Sequence, residues 1–129
     1  MRLLVTGGTG VLGRALAPRA RAAWHEVVAP TSDELELFDP LAVAHATCDI
    51  DAVLHLATRI QPLEHLCNPE AWRDKDRLRT DASRILVDAT LAADIAAYVQ
   101  PTVTFVHPSR VPFPKTHRSP TFPRSCNPR

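Results

Sequence analysis

Short apolar runs alternate along this chain with longer segments in which apolar residues recur every three or four positions. The apolar runs over residues 2–6, 25–29 and 51–57 have the length of buried strands. Between the first two, apolar residues at helical spacing predict a helix over residues 11–23. Strands that alternate with helices in this way predict an α/β fold, with a parallel sheet covered on both faces.

The remaining patterns predict four further elements. Residues 35–37 predict a short third strand, and residues 40–47 a short helix. A long helix with core spacing is predicted over residues 69–95, and a last strand over residues 102–106. With right-handed crossovers, these elements form a Rossmann-like doubly wound parallel sheet of about five strands in the order 3-2-1-4-5.

A glycine-rich turn joins the first predicted strand to the first predicted helix. Gly7, Gly10 and Gly13 follow one another at intervals of three residues within this turn. In a strand–turn–helix context this spacing favours a dinucleotide pyrophosphate, because glycines permit the tight turn, the approach of phosphate and close helix packing. The helix N-terminus adds free N–H groups and a partial positive charge. The motif therefore predicts a dinucleotide phosphate site.

With this motif in place, the chain resembles the extended short-chain dehydrogenase/reductases, the NAD-dependent epimerase/dehydratase group. The similarity is carried in order by the segments 4–14, 25–28, 34–40, 51–58, 86–89 and 98–108. It implies a Rossmann-like domain that binds NAD or NADP. In that family the domain serves sugar-nucleotide epimerases, dehydratases and reductases.

The resemblance also assigns roles to individual residues. Five residues around the glycine turn would wrap the pyrophosphate: Gly7, Gly10, Val11, Leu12 and Gly13. Two residues would contact the adenine: Glu36 and Leu37. Three residues at the end of the strand predicted over residues 51–57 would pass beside the adenine-side ribose and the nicotinamide half of the cofactor: Leu56, Ala57 and Thr58.

The choice between NAD and NADP stays open at the level of the sequence. Asp33 lies about 20 residues beyond Gly13, where an acid could bind the ribose 2′-hydroxyl of NAD. However, residues 30–32, directly after the second strand, are neutral, and Arg14 could reach the 2′-phosphate of NADP. Arg14 could equally be a solvated helix residue. The balance slightly favours NAD.

The catalytic pair of the resembled family does not appear in the sequence. Family members use Tyr-x-x-x-Lys together with a Ser or Thr, and the lysine lowers the tyrosine pKa so that the phenol can act as a base. Here the one tyrosine is Tyr98, and the residue four positions later is Thr102. Thr102 or Thr104 could replace the Ser/Thr, although both also suit an ordinary strand. We therefore expect a truncated relative without turnover of its own.

Charge and proline content change near residue 108. No acidic residue follows Asp94, and six of the 12 prolines lie between residues 108 and 128. We therefore predict a nucleotide-binding half-domain over residues 1–108 and a disordered, basic, proline-rich tail over residues 109–129. A truncated or frameshifted gene is one hypothesis for this change.

Composition excludes several classes of function. No apolar stretch reaches the ~20 residues of a membrane span, and the three scattered cysteines form no Cys-x-x-Cys pair. We therefore expect a cytoplasmic protein with reduced thiols, no metal site and no membrane partner. The basic tail has few aromatic residues, so we do not expect nucleic acid as a partner. The expected partners are a dinucleotide, an unidentified small-molecule substrate and, through an exposed sheet edge, a second copy.

Overall fold

The computed structural model describes residues 1–59 and 69–101, which form a parallel sheet with helices on both faces. Its strands are β1 (Arg2–Thr6), β2 (Glu26–Val28), β3 (Ala52–His55) and β4 (Ala97–Val99). They lie in the order β2-β1-β3-β4, and each neighbouring pair is parallel. This architecture confirms the predicted Rossmann-like α/β class. Both the predicted strand over 102–106 and the predicted tail over 109–129 lie outside the described residues.

Helices connect these strands. Helix α1 (Val11–Ala22) joins β1 to β2, and α2 (Pro40–Ala46) precedes β3. Asp39 caps α2, because its side chain accepts a hydrogen bond of 2.9 Å from the Leu41 N–H. A helical segment then leads to β4: a 3₁₀ turn (Pro69–Trp72), α3 (Arg73–Arg77), a π turn (Leu78–Ala82) and α4 (Ser83–Ala92). No helix in the two described ranges is long and apolar enough to cross a membrane.

The predicted third strand over residues 35–37 is wrong. These residues follow a turn in which the backbone N–H groups of Glu34 and Leu35 both donate to the Thr31 carbonyl. Leu35 is buried in the core, and Leu37 packs against the same cluster. Leu35 and Leu37 therefore alternate because both attach a loop to the core, and not because they lie on one face of a strand.

The predicted continuous helix over residues 69–95 is also wrong in detail. It is divided by the π turn and ends at Ala92. Ser83 explains part of this interruption, because its hydroxyl donates 3.1 Å to the Leu78 carbonyl, a local side-chain bond that competes with the regular ladder. Strand β4 begins at Ala97, five residues before the predicted last strand.

Two apolar clusters cover the two faces of the sheet. On one face, Leu4 and Val53 pack against Val43 of α2 and Leu86 of α4, and all four side chains are fully buried. The opposite face carries the cluster around Val5, onto which α1 packs. Successive strand residues point to opposite faces, so β1 supplies both clusters from neighbouring positions. Burial of a side chain such as Leu86 contributes about 2 kcal/mol.

A left-handed residue, Trp24, follows the C-terminus of helix α1. Its φ is +62°, its N–H donates to the Arg21 carbonyl, and the next N–H, of His25, donates to the Ala20 carbonyl. This pair of bonds is the Schellman pattern, in which glycine is the usual left-handed residue. The indole is 94% exposed, so little packing compensates for the strained backbone.

Candidate nucleotide-binding site

The loops that follow β1, β2 and β3 surround a cleft of about 730 Å³ at the carboxyl ends of the strands. The chain leaves β1 toward β2 on one side, while β3 lies on the other, so the cleft sits at the topological switch point of the sheet. Nine of the residues that the sequence nominates line this cleft: Gly7, Gly10, Val11, Leu12, Glu36, Leu37, Leu56, Ala57 and Thr58.

Gly7 brings the loop after β1 against the loop after β3. Its φ is +73°, and a Cβ built on it would lie 2.6 Å from both the backbone nitrogen and the Cα of Ala57. Any side chain here would collide with rigid backbone while also straining its own dihedral angles. The sequence and the geometry therefore agree that this position requires glycine.

Gly13 fixes the start of α1 against the same turn. A Cβ on Gly13 would lie 2.5 Å from the Gly7 carbonyl oxygen and from the Cα of Gly8. Gly13 does not line the cleft. Its contribution is the close approach of the helix to the turn that follows β1, and close packing of this kind is one of the glycine functions in dinucleotide-binding turns.

The N-terminus of α1 opens toward the cleft. Gly10 is the N-cap residue and supplies no side chain to cap the helix, and the first turn contains no acid. The Arg14 N–H donates to the Gly10 carbonyl and closes the first helical turn, so the preceding N–H groups have no partner within the helix. Val11 and Leu12, which carry two of those groups, both line the cleft and are exposed. This arrangement suits a bound anion.

The two residues nominated for the adenosine 2′ position, Arg14 and Asp33, do not line the cleft. The Arg14 side chain folds back, and its Nε donates 2.7 Å to the Thr9 carbonyl. The acid that the turn holds is Glu34, which does not line the cleft either. Its Oε2 accepts from the Thr31 N–H at 2.8 Å and from the Thr31 hydroxyl at 3.0 Å. These bonds hold the pKa of Glu34 below its usual value.

Charged residues of α3 form the far wall of the cleft, together with Arg59. Arg59 pairs with Asp74 at 2.6 Å, and the Arg77 guanidinium lies 4.3 Å from the centre of the Phe38 ring. The side chains of Arg59 and Asp74 are both largely exposed, so their ion pair adds little to the stability of the fold. Within the described residues, no three His, Cys, Asp or Glu side chains are grouped so that they could hold a metal ion.

A buried histidine lies beneath the cleft. His55 ends β3, and its Nδ1 is 2.7 Å from the Thr6 hydroxyl of β1, while its Nε2 is 3.4 Å from the Leu78 carbonyl. A carbonyl can only accept, so these partners assign the proton to Nε2 and make the Thr6 hydroxyl the donor to Nδ1. Burial lowers the pKa of His55, and the nearby Arg79 charge lowers it further. The neutral imidazole ties both strands to the π turn.

Tyr98 lies outside the cleft lining. Its hydroxyl donates 3.0 Å to the Gln100 side-chain oxygen, and the Gln100 amide donates 2.9 Å to Ser83. Burial raises the pKa of Tyr98, whereas a catalytic base of this type needs a lowered one. Thr102, the residue nominated for catalysis, lies outside the described residues.

Comparison with known proteins gives one family match. The model of the RmlD substrate binding domain matches residues 1–109. A 3-diazoavenalumate denitrifying reductase from a Streptomyces species is 33% identical over 120 residues, which cover 81% of this chain and 38% of that protein. The chain therefore spans less than two fifths of this curated relative.

Solved structures give the same picture of the fold. A short-chain dehydrogenase/reductase superfamily protein from Agrobacterium tumefaciens, solved with bound NAD, is 25% identical to this chain with a TM-score of 0.63. The match covers 78% of this chain and 32% of that protein. A GDP-L-fucose synthetase from Naegleria fowleri, bound to NADP, is 21% identical to this chain with a TM-score of 0.66. The match covers 89% of this chain and 34% of that protein. The family match confirms the reductase superfamily that the resemblance implies and is narrower than the epimerase/dehydratase group. The solved structures confirm the fold.

Proposed function

Because the chain belongs to the family of the RmlD substrate binding domain, we propose that it binds NAD or NADP in the cleft above β1, β2 and β3. The observation that carries this proposal is the geometry of the glycine turn. Gly7 and Gly13 have no room for a side chain, and the uncapped N-terminus of α1 opens onto the same cleft. Together they form a backbone cradle of the size and polarity that a pyrophosphate needs.

The remaining lining residues divide the cleft between the two ends of the dinucleotide. We assign the pyrophosphate to the N–H groups of Val11 and Leu12, which line the cleft, while Gly13 holds the start of α1 against the glycine turn. Glu36 and Leu37 would contact the adenine from the loop after β2. Residues 56–58, which follow β3, would lie beside the adenine-side ribose and the nicotinamide half. Each assignment predicts a loss of affinity when the residue is replaced by a bulkier or charged one.

The reaction class that this site serves best is reduction of a carbonyl on a small molecule of the sugar-nucleotide type. When bound, the nicotinamide ring supplies the hydride. The residues of this chain bind and orient the cofactor, and the residues that follow β3 position its nicotinamide half. The unit that does so is residues 1–108, with residues 109–129 as an appended tail. Thr102 is the proposed hydroxyl neighbour of the reacting carbonyl.

We further propose that the chain by itself binds the cofactor without turning over substrate. The Tyr98 hydroxyl is engaged with Gln100, and burial raises its pKa. Both properties oppose proton transfer near neutral pH. No lysine stands four residues later, since that position is Thr102.

Calorimetric titration of the purified chain with NAD⁺, NADP⁺ and ADP-ribose tests the binding proposal, with a hydride-transfer assay on the same sample. We expect saturable binding of at least one dinucleotide and no hydride transfer. Failure of all three ligands to bind would refute the proposed function. Turnover by the isolated chain would refute the second proposal and leave the first intact.

A further inference from the structure

The turn after α1 carries a tryptophan where two equivalent turns carry aspartate. Helices α2 and α4 are also followed by left-handed residues, Asp49 and Asp94, whose φ values are +57° and +52°. The Asp94 N–H donates to a carbonyl three residues earlier, as the Trp24 N–H does. Aspartate tolerates this conformation better than a bulky aromatic residue does. Of these three residues, Trp24 is therefore the one that the turn itself does not favour.

Packing within the fold does not explain Trp24 either. The indole is 94% exposed, the highest value among the exposed large apolar side chains of the described residues. Within those residues the indole makes no ring contact and no cation–π contact. A side chain that strains its backbone and buries no surface of its own chain points to a contact with another molecule.

Arginine residues of α1 precede this turn, and they make the surface basic. Helix α1 contains Arg14, Arg19 and Arg21 and no acidic residue. The side chains of Arg14 and Arg19 donate to backbone carbonyls, those of Thr9 and Ala15. Across the described ranges, no ion pair involves any of the three arginines. Their charges therefore add to one positive field, which attracts an anionic partner.

The outer face of α1 is a convex helix surface between these charges. Pro18 and Ala22 are exposed at helical spacing. The helical period places Arg19 on one side of this pair and Arg21 on the other. A second copy of this chain would bring the same arginines to the contact, so like charges oppose self-association through this face. The surface formed by Pro18, Arg19, Arg21, Ala22 and Trp24 is called the Trp24 surface below.

We propose that the Trp24 surface attaches this chain to an anionic lipid membrane. Tryptophan suits the membrane–water interface, because its ring is apolar and its N–H stays hydrated among the headgroups. Basic residues next to it are attracted to anionic headgroups. A convex face suits a fluid lipid surface, whereas a protein partner must match it closely in shape. The expectation of no membrane partner came from the lack of a spanning segment, and a contact that lies on the membrane needs none.

Binding of the full chain to lipid vesicles tests this proposal. Trp72→Phe leaves Trp24 as the one tryptophan, so its emission reports on the proposed contact. The vesicles consist of phosphatidylcholine alone, or of phosphatidylcholine with about one third phosphatidylglycerol. We expect binding to the anionic vesicles to be at least about tenfold stronger, with a blue shift of the Trp24 emission. Both effects should be lost near about 0.5 M salt, which screens the charges.

Co-sedimentation of variants with the same vesicles separates the two parts of the Trp24 surface. Trp24→Gly removes the indole and suits the left-handed backbone, and the double variant Arg19→Gln/Arg21→Gln removes two charges. Each should weaken binding to anionic vesicles about fivefold or more. Arg73→Gln/Arg84→Gln is the matched control, because it removes two exposed arginines from α3 and α4. It should change vesicle binding less than about twofold.

Three results would overturn the proposal: no binding to anionic vesicles, binding without a change in Trp24 emission, or an equal loss in the control variant. Poly-L-glutamate is the second probe. A blue shift with this polymer but not with vesicles would make the Trp24 surface a site for an acidic protein and overturn the membrane contact. Dinucleotide titrations do not enter this test, so the proposed function stands or fails separately.

Discussion

Gly7 and Ala57 are in such close contact that the loops after β1 and β3 form one surface. A single added carbon on Gly7 would lie 2.6 Å from the Ala57 backbone, a separation that side-chain carbons do not adopt. The phosphate-facing loop and the loop assigned to the nicotinamide side are thereby held together at one point. The precision of the proposed site depends on this contact.

Gly7→Ala should therefore destabilise the fold and not merely weaken binding. The new methyl group would collide with backbone that cannot rotate away, and alanine would be forced to a φ of +73°. We expect a loss of about 2–4 kcal/mol in the free energy of unfolding, measured by urea denaturation. Gly10→Ala is the matched control, because its Cβ would meet only the Gly7 carbonyl oxygen, at 3.2 Å. Equal losses for the two variants would contradict the role assigned to the Gly7–Ala57 contact.

Val11→Asp should separate stability from binding. Val11 is 85% exposed in the first turn of α1, where an acid interacts favourably with the helix dipole. We expect the melting temperature to be unchanged or slightly higher, while dinucleotide affinity falls about tenfold or more because the carboxylate would occupy the place of the phosphates. Val11→Thr, a neutral replacement of similar shape, should keep the affinity within about threefold. Undiminished affinity in Val11→Asp would place the phosphates elsewhere.

His55 should make the fold less stable as the solution becomes acidic. Its folded pKa is lowered by burial, so the unfolded chain binds a proton at a higher pH than the folded chain does. The stabilisation is complete above the unfolded pKa of about 6.5, and it is lost as the pH falls from there through the lowered folded pKa. Urea denaturation between pH 7.5 and 5 should show this loss in the wild type. His55→Gln should be less stable at pH 7.5 but lose less with acid, and an identical pH slope in both proteins would contradict the assignment.

Trp24→Gly should stabilise the protein, although it removes a large side chain. The indole is almost fully exposed, and its backbone has a φ of +62°, which costs a non-glycine residue about 1 kcal/mol. We expect a gain of about 0.5–1 kcal/mol on thermal or urea unfolding. Trp24→Ala retains the strained dihedral angle and should show no such gain. If alanine and glycine were equally stabilising, side-chain exposure and not backbone strain would be the cause.

The sequence predicts the parts of this fold in which local and tertiary preferences agree. The strand at residues 2–6, the turn at residues 7–10 and helix α1 each have the expected apolar period and glycine positions. Leu35 and Leu37 show where this logic fails. Their alternation is that of a strand, but the core holds Leu35 from a turn that Thr31 and Glu34 close through side-chain bonds. The T-x-x-E pattern of a capping box was the available signal.

The residues of the candidate site also differ in whether the sequence alone could nominate them. The glycines and the residues after β3 could be nominated because backbone geometry alone defines their function. Arg14 and Asp33 were nominated by distance along the chain, which does not fix where a flexible side chain points. The wall formed by Arg59, Asp74 and Arg77 could not be found at all, because it joins residues from separate segments. A dense charge run on a helix is usually a solvated face.

The central claim is that a dinucleotide pyrophosphate binds at the N-terminus of α1, and residue-resolved NMR tests it most directly. Titration of the ¹⁵N-labelled chain with NAD⁺ should move the amide resonances of residues 7–13 most, in a saturable manner, with smaller changes at residues 30–37 and 56–58. The amides of α4, on the opposite face of the sheet from α1, should stay in place. Saturable shifts confined to other segments, or no shifts at millimolar NAD⁺ and NADP⁺, would contradict the claim.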